Sequence, residues 1–544
     1  MGAVQSSTKT FWLAVKAFGE LNAEFRALLR RASQAPGLPV PNPSPSYWLE
    51  DPPFPDLVDT LSPALPEAAD IVIIGSGITG AAVARTVLRE SARRRGRAAA
   101  SPIPRVVVLE ARALCSGATG RNGGQIKSAP HEAFAAFRAT LGPARAAALT
   151  RFQLAHLPLL TDLCRARGWA PAECREVETV DLYLSDEDRD AAFASVEELR
   201  KWVPEIEIKT WDGAGAQEVN RHVKGAISYV AGALWASRFV SCVWEELLAR
   251  FEKHLSIETH TPALAVRTAG RDAAFAYEVV TGRGVVRCDH VVHATNAFAP
   301  QLVAGLRGKL TGVLDTMSAQ RPGADFPALG GARSWTVVYD GAFDYVTQRP
   351  APPAAAPAGA GSPPQGDIMI GGGFARAREE CAAMVGVWDD GRVDAPPVAQ
   401  ISGIFPTLFA PRWGAPAPGS RRARRAWTGV LGVTGDRRPF VGRLDAELTG
   451  RSPPRGSNRD DAAAATGVRP GEWIAAGYCG DGMVWAWLSG TALGVMLAGA
   501  EDDDAPPEPG RPGGALADWF PRDLEPTPRR LRRAGLEALA HRFF

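Results

Sequence analysis

The residues in this chain best suited to chemistry are glycines. Gly75-Ser76-Gly77-Ile78-Thr79-Gly80 follows the short β-branched run Asp70-Ile71-Val72-Ile73-Ile74 and opens a stretch with helical periodicity that reaches about Arg94. In that setting the first glycine allows a tight turn, the second lets a pyrophosphate approach the backbone, and the third lets helix and strand pack closely. A helix starting at Ile78 would aim unpaired N–H groups and its positive dipole end at the phosphates. A second buried run, Arg105-Val106-Val107-Val108-Leu109-Glu110, completes a strand–helix–strand unit and ends on an acid. Glu110 is placed to accept hydrogen bonds from ribose hydroxyls and to disfavour a 2′-phosphate. It stands 30 residues after Gly80, beyond the usual ~20. The Arg-, Ala- and Pro-rich stretch 93–104 accounts for the excess.

Nicotinamide and flavin dinucleotides share this fingerprint, so the choice between them rests on the residues that come after Glu110. Ala111 and Arg112 lead into Cys115-Ser116-Gly117-Ala118-Thr119-Gly120-Arg121-Asn122-Gly123-Gly124-Gln125. This run offers hydroxyls, small residues and backbone N–H groups for wrapping a pyrophosphate and approaching a planar ring. Here the chain resembles the D-amino-acid oxidase, sarcosine oxidase and glycine oxidase superfamily, whose members carry a similar S-G-x-S/T-G-R-N-G-G segment. His260-Thr261-Pro262-Ala263 sits where that family sets a strand backbone against the adenine, and the run 291–296, ending Ala294-Thr295-Asn296, resembles its VVxATN strand and turn. Trp427-Thr428-Gly429, Gly435-Asp436-Arg437-Arg438-Pro439-Phe440-Val441-Gly442 and Gly477-Tyr478-Cys479-Gly480-Asp481-Gly482-Met483 resemble its closing W-x-G, D-x-x-P-x-I-G and G-Y-x-G-H-G-M elements, in the right order. The resemblance spans about residues 67–500.

It implies an α/β (α+β two-domain) fold, an FAD-binding Rossmann-like domain interleaved with an antiparallel-sheet substrate domain. The expected division is 1–66 as a helical arm and Pro-rich lead-in, 67–130 with 220–300 and 426–500 as the FAD-binding domain, 131–219 with 301–425 as the substrate domain, and 501–544 as a linker and basic helix. The implied cofactor-binding set is Gly75, Gly77, Ile78, Gly80, Glu110, Ala111, Arg112, Ser116, Thr119, Arg121, Asn122, Gly123, Gly124, Ala263, Ala294, Thr295, Asn296, Gly480, Gly482 and Met483. The last Gly-rich turn should start a helix near Met483 whose dipole stabilises negative charge on the reduced ring. Asp481 stands where a histidine is frequent. Some relatives link the flavin through a cysteine before the D-x-x-P element or a histidine after the S-G-x-T run. Trp427 and Arg121 hold those places, so non-covalent FAD is expected.

By the same resemblance the reaction is oxidation of the C–N bond of an amine or amine-containing metabolite, with hydride passing to FAD, water hydrolysing the imine and O₂ as acceptor. Free amino-acid oxidases of the family place an arginine two residues after the W-x-G glycine, to pair with the substrate carboxylate. This chain has Leu431 there, which disfavours a free α-amino acid and brings the segment nearer to gamma-glutamylputrescine oxidoreductase-like proteins. The candidate catalytic residues are Lys127, Tyr345, Arg349 and Asp481. Lys127, with His131, could supply a charge near the flavin for O₂ or proton transfer, with placement at the surface as the alternative for both. Tyr345 and Arg349, with Trp335, Tyr339, Trp485 and Trp487, could form an aromatic wall for a cationic or apolar amine, and ordinary packing competes for all six. Two other readings stay open: a flavoprotein dehydrogenase tailoring a small metabolite without O₂, and a catalytically weak FAD-fold protein with a membrane-trafficking role.

The frame around these motifs is that of a globular chain. At 544 residues it is too long for one ordinary core, and 46% hydrophobic with 22% charged residues suits burial of two. A net charge of +2 makes no field for nucleic acid. Seven scattered cysteines without CxxC or Cys/His spacing predict a reducing compartment and no metal. No secretory signal or run of ~20 apolar residues stands out, so a cytoplasmic location is expected. Met1-Gly2-Ala3-Val4-Gln5-Ser6 fits the N-myristoylation pattern and precedes an amphipathic stretch, 11–31, which adds peripheral membrane contact as an expectation. The low-complexity stretches 350–366, 415–425, 450–467 and 501–514 read as surface insertions, and Arg529, Arg530, Arg532 and Arg533 as a solvated helix face. A small-molecule amine is the expected partner, and the oligomeric state is not legible.

Overall fold

A computed structural model describes residues 22–97, 102–213, 219–270, 273–339, 341–351, 365–377, 381–415, 421–452 and 466–539. The strand Ile71–Ile74 is buried on both faces, which is why it reads as an unbroken apolar run and not as an alternation. It pairs in parallel with Val106–Leu109 on one side and His290–His293 on the other. Leu255–Glu258 and Gly471–Ala476 extend the six-stranded sheet in parallel, and antiparallel Phe440–Arg443 closes one edge. The helix Ile78–Arg97 packs on this sheet beside Ala486–Leu497, every residue of which is buried. That burial explains a helix with no polar face. The two helices approach closely at small residues: a Cβ on Gly490 would lie 2.7 Å from the Ala82 Cβ.

A nine-stranded sheet stands against this layer, in the order Ala423–Thr434, Leu310–Gln320, Ile368–Gly372, Ala342–Gln348, Arg333–Tyr339, Arg175–Tyr183, Gly225–Ala233 and Gln125–Ile126, with Ile208–Asp212 paired to Gly225–Ala233. Gly225–Ala233 and Ala423–Thr434 are therefore strands of this sheet, although the former and most of the latter fall inside the stretches expected for the FAD domain. One face of this sheet is covered by helix Ala395–Phe409 and an apolar cluster that includes Trp335, Val337, Tyr339, Val346 and Ile370. The other face carries an in-register row, Asp181, Thr336, Tyr345, Gly371, Met317 and Trp427. This second face looks toward the glycine turns.

Several peripheral expectations change. Residues 501–514 do not stand off as an insertion. Glu508 pairs with Arg89 at 2.5 Å, Asp503 with Arg93 at 3.0 Å and buried Arg511 with Glu90 at 2.8 Å, all on helix Ile78–Arg97. Arg530 is buried and bound to Asp436 at 2.7 Å, so the C-terminal arginines are not one solvated face. Residues 22–32 are helical, while the Gly2 motif lies outside the described residues, as do most of the low-complexity stretches at 352–364, 416–420 and 453–465. Among the described residues no helix is long and apolar enough to cross a membrane.

Candidate functional site

The site begins where strand Ile71–Ile74 ends. Gly75 takes a φ of +112°, a conformation natural to glycine, and a Cβ there would meet the Ala294 carbonyl oxygen at 2.7 Å. A Cβ on Gly80 would lie 2.0 Å from the Gly75 carbonyl oxygen. Strand end, helix start and the turn through Thr295 and Asn296 thus meet at backbone contact. The Ser76 backbone N–H and hydroxyl both donate to Glu110 Oε2, at 3.1 and 2.7 Å, and the Cys115 N–H donates to Ser76 Oγ at 2.8 Å. Ile78 N–H, at the helix start, donates to Thr119 Oγ1 at 3.1 Å. The Thr261 N–H donates to the Glu110 carbonyl at 2.8 Å and His260 N–H to that of Arg112 at 3.0 Å, which sets the backbone leading into Ala263 beside Glu110, Ala111 and Arg112.

The closing turn, more than 390 residues on, arrives at the same place. Thr79 Oγ1 and Tyr478 Oη share a hydrogen bond of 2.8 Å, Asn122 Nδ2 lies 3.8 Å from Met483 Sδ, and the Gly477 N–H donates to Asn296 Oδ1 at 2.9 Å. Gly480 takes a φ of +95°; a Cβ there would touch only Leu431 Cδ1, at 3.9 Å, and one on Gly482 would meet nothing within 4 Å. The α-helix itself begins at Ala486, after one tighter turn over Gly482–Val484, later than the expected start near Met483. Such 3₁₀ turns are a common way into a helix.

The loop between these turns is braced from outside. Arg112 donates both terminal nitrogens to the Asp390 carboxylate at 3.0 Å each, and Arg121 Nε stands 3.2 Å from it. Arg121 also donates to the Thr428 carbonyl at 2.6 Å and to Ser44 Oγ at 2.8 Å, and burial pulls its pKa down to about 10. Both guanidinium groups thus tie the loop to Asp390 and to the backbone around it. Asn122 donates to the Thr119 carbonyl at 3.1 Å and accepts from Gly124 N–H at 2.8 Å. Trp427 is fully buried, its indole N–H on the Arg121 carbonyl at 2.9 Å.

Of the candidate catalytic residues, Tyr345 lies on the site face. Its ring fills room that Gly123 leaves, since a Cβ on Gly123 would be 2.5 Å from Tyr345 Cε2, and its hydroxyl donates to Asp315 Oδ2 at 2.6 Å. Lys127 is bound to buried Asp181 at 2.6 Å and to Thr336 Oγ1 at 2.5 Å, and the Tyr229 hydroxyl holds the other Asp181 oxygen at 2.9 Å. Burial pushes that carboxyl up, but Lys127 and His131 hold it below its ordinary value, and burial takes His131 itself down to about 4. Lys127 thus neutralises a sheet carboxylate. Arg349 is likewise committed, to Glu173 at 2.5 Å and over the Trp235 ring at 4.4 Å. Trp335 and Tyr339 lie in the cluster on the far face of the sheet, and Trp485 and Trp487 pack in the core against Phe152 and Phe239. These four do not form a wall. Asp481 is exposed at the closing turn.

Two contributions have no counterpart among the expected site residues. Residues 44–49, expected in a separate arm, lie on the loop: Ser46 Oγ donates to the Gly120 carbonyl at 2.7 Å, the Trp48 indole donates to the Asn122 carbonyl, and Trp235 Nε1 donates to the Trp48 carbonyl at 2.6 Å. Nothing in the arm's Pro-rich sequence signals this. Asp315, beside Tyr345, is the other. Burial pushes its carboxyl up to about 6. A lone acid within an otherwise uncharged strand was the available signal.

The residues fit a dinucleotide. Ser116 Oγ and Thr295 Oγ1 are buried without a partner among the described residues, and both belong to the turns around Gly75. Together with the helix start at Ile78 they form a donor set suited to a diphosphate. Among the described residues no group of His, Cys, Asp and Glu could hold a metal.

Comparison with known proteins agrees. The family model described as FAD dependent oxidoreductase, DAO, matches residues 70–495. The fold is similar to glycine oxidase from Geobacillus kaustophilus, with 18% identity, 85% of this chain and 99% of that chain covered and a TM-score of 0.55. It is similar to L-proline dehydrogenase from P. horikoshii, with 19% identity, 87% and 100% covered and a TM-score of 0.56. It is also similar to iminodiacetate oxidase from Chelativorans sp. BNC1, with 16% identity, 79% and 95% covered and a TM-score of 0.52. No curated protein matches the chain by sequence. With Trp427 and Arg121 at the two places where a covalent link could form, the flavin is held non-covalently, and the chain belongs to the DAO family of FAD-dependent oxidoreductases.

Proposed function

We propose that this chain oxidises a C–N bond of an amine or amine-containing metabolite, with O₂ as the acceptor. The observation that carries this reading is the meeting of the Gly75–Gly80 and Tyr478–Met483 turns at the 2.8 Å Thr79–Tyr478 bond, next to a sheet face bearing Tyr345 and Asp315. FAD, when bound, supplies the acceptor for the substrate's hydride. The chain does the rest. Ser116, Thr295 and the helix start at Ile78 bind the diphosphate, Glu110 orients the ribose, and Arg121, Asn122 and Trp427 hold the loop in shape. Tyr47, Trp48, Trp235, Met317 and Trp427 form an apolar cluster that keeps water from the sheet face. Tyr345 holds its proton on Asp315 Oδ2, fixing that carboxylate. The likeness to glycine oxidase and iminodiacetate oxidase supports the bond class, and Leu431 supports an amine over a free α-amino acid. A cytoplasmic location belongs to the same reading, in keeping with seven scattered thiols.

The test is anaerobic mixing of the purified holoprotein with a panel of primary and secondary amines. Loss of the visible flavin absorbance, then recovery and hydrogen peroxide release on admitting air, is the expected result. A flavin that no amine bleaches would remove the C–N assignment, and bleaching without peroxide would remove O₂ alone.

A further inference from the structure

If the chain oxidises an amine as proposed, one carboxylate indicates which kind. Carboxylates on or beside the site face meet cations: Asp181 meets Lys127 at 2.6 Å, Asp367 meets Arg424 at 2.5 Å, Glu173 meets Arg349 at 2.5 Å, and Asp390 meets both Arg112 and Arg121. Asp315 differs. Among the described residues its partners are neutral donors, the Tyr345 hydroxyl at 2.6 Å and the Thr316 N–H at 2.9 Å. It is the one charged residue of Leu310–Gln320, all eleven residues of which are buried. A buried carboxylate without a cation is a standing cost to the fold, and such costs persist where a ligand relieves them.

Its position is that of a ligand contact. Across the strand pair Asp315 faces Gly429, which has no side chain, and a Cβ there would stand 3.2 Å from the Arg121 Cβ. The carboxylate therefore lies under the stretch Arg121-Asn122-Gly123, with the Tyr345 ring against Gly123. Phe343, on the same face two residues along from Tyr345, is 53% exposed with its ring centroid 6.4 Å from that of Tyr345. An exposed phenyl ring beside the tyrosine that holds this acid, which meets no cation among the described residues, suits a cation carrying an apolar group. Burial pushes the Asp315 carboxyl up to about 6.

The geometry points to Asp315 as the anionic anchor of the substrate subsite, which takes an amine bearing a positive charge and an apolar substituent and rejects carboxylates. Tyr345 is its positioning residue and Phe343 its apolar lip.

The FAD-loaded full chain is titrated calorimetrically with benzyltrimethylammonium, whose quaternary nitrogen has no lone pair with which to form an imine, and separately with benzoate. The cation binds and benzoate does not. Asp315→Asn weakens the cation roughly 10- to 100-fold, the size of a lost charge-assisted contact, with FAD content unchanged. Asp315→Glu keeps most of the affinity, and Tyr345→Phe loses part of it. Benzoate binding in preference to the cation, or equal cation affinity in the wild type and Asp315→Asn, overturns the inference. If Asp315→Asn does not fold, Tyr345→Phe decides, and unchanged cation affinity there counts against it. Because the probe is not a substrate, failure of every amine to bleach the flavin would defeat the proposed reaction and leave this result readable.

Discussion

Gly80→Ala adds one methyl group at the tightest point of the phosphate turn. The new Cβ would stand 2.0 Å from the Gly75 carbonyl oxygen and 3.4 Å from Ile73 Cγ2. Non-bonded heavy atoms settle near about 3.5 Å, and the oxygen is backbone, so it cannot swing aside as a side chain would. The start of helix Ile78–Arg97 must retreat by about 1.5 Å to restore that spacing. Overpacking of this kind costs about 1–3 kcal/mol in stability. The retreat also takes N–H groups away from the diphosphate, each worth about 1.5–3 kcal/mol against a charged acceptor. At about 1.4 kcal/mol per decade, losing one or two raises the Kd for FAD by roughly 10- to 10,000-fold. Gly96→Ala is the control on the same helix, because its Cβ would meet no atom within 4 Å. It should gain up to about 1 kcal/mol and leave FAD binding alone. The assay is fluorescence titration of apoprotein with FAD, with thermal unfolding alongside. FAD binding by Gly80→Ala as tight as the wild type, or equal loss in Gly96→Ala, would refute the reasoning.

Buried charge gives two further expected outcomes. Glu472 is buried between His293 at 2.8 Å and Arg451 at 2.6 Å; burial pushes its carboxyl up, but these partners hold it down at about 2, against an ordinary 4.5. A depressed acid stabilises the fold above its unfolded pKa, so this contribution, about 3 kcal/mol, is present at pH 7 and drains away as pH falls from 4.5 toward 2. Glu472→Gln should lose it at pH 7 and show a flatter acid limb in urea unfolding; an unchanged limb would contradict the assignment. Asp390→Ala leaves two buried guanidinium groups without their carboxylate, for which a loss of about 3–5 kcal/mol is expected in the same assay. A loss below about 1 kcal/mol would mean that the brace is not structural.

What was legible in the sequence is what is local. The turn through Gly75, Gly77 and Gly80 and the acid at Glu110 announce themselves because strand, turn, helix and second strand adjoin in the chain, and parallel strands covered on both faces read as plain apolar runs. The closing turn at Gly480 and Gly482 was legible through its resemblance. The partners of the charged candidates were not legible. Lys127, Arg112, Arg121 and Arg349 carry the right chemistry for a site, yet each is neutralised by an acid far away in sequence: Asp181, Asp390 or Glu173. Such pairings arise only when sheets close. The aromatic candidates divide by strand parity and layer, so that Tyr345 faces the loop while Trp335 and Tyr339 face helix Ala395–Phe409. Residues 44–49 have no periodicity to reveal that they would lie on Gly120 and Asn122. Asp315 was within reach, since a single acid in an uncharged strand asks for an explanation.

The central claim is that turns several hundred residues apart hold one flavin dinucleotide without a covalent bond. It is tested most directly by denaturing the purified full chain and measuring the flavin on both sides of the separation. One FAD per chain released into solution, with colourless precipitated protein, is the predicted result. A chain that carries no flavin and takes none up, or one whose colour stays with the precipitate, would contradict it.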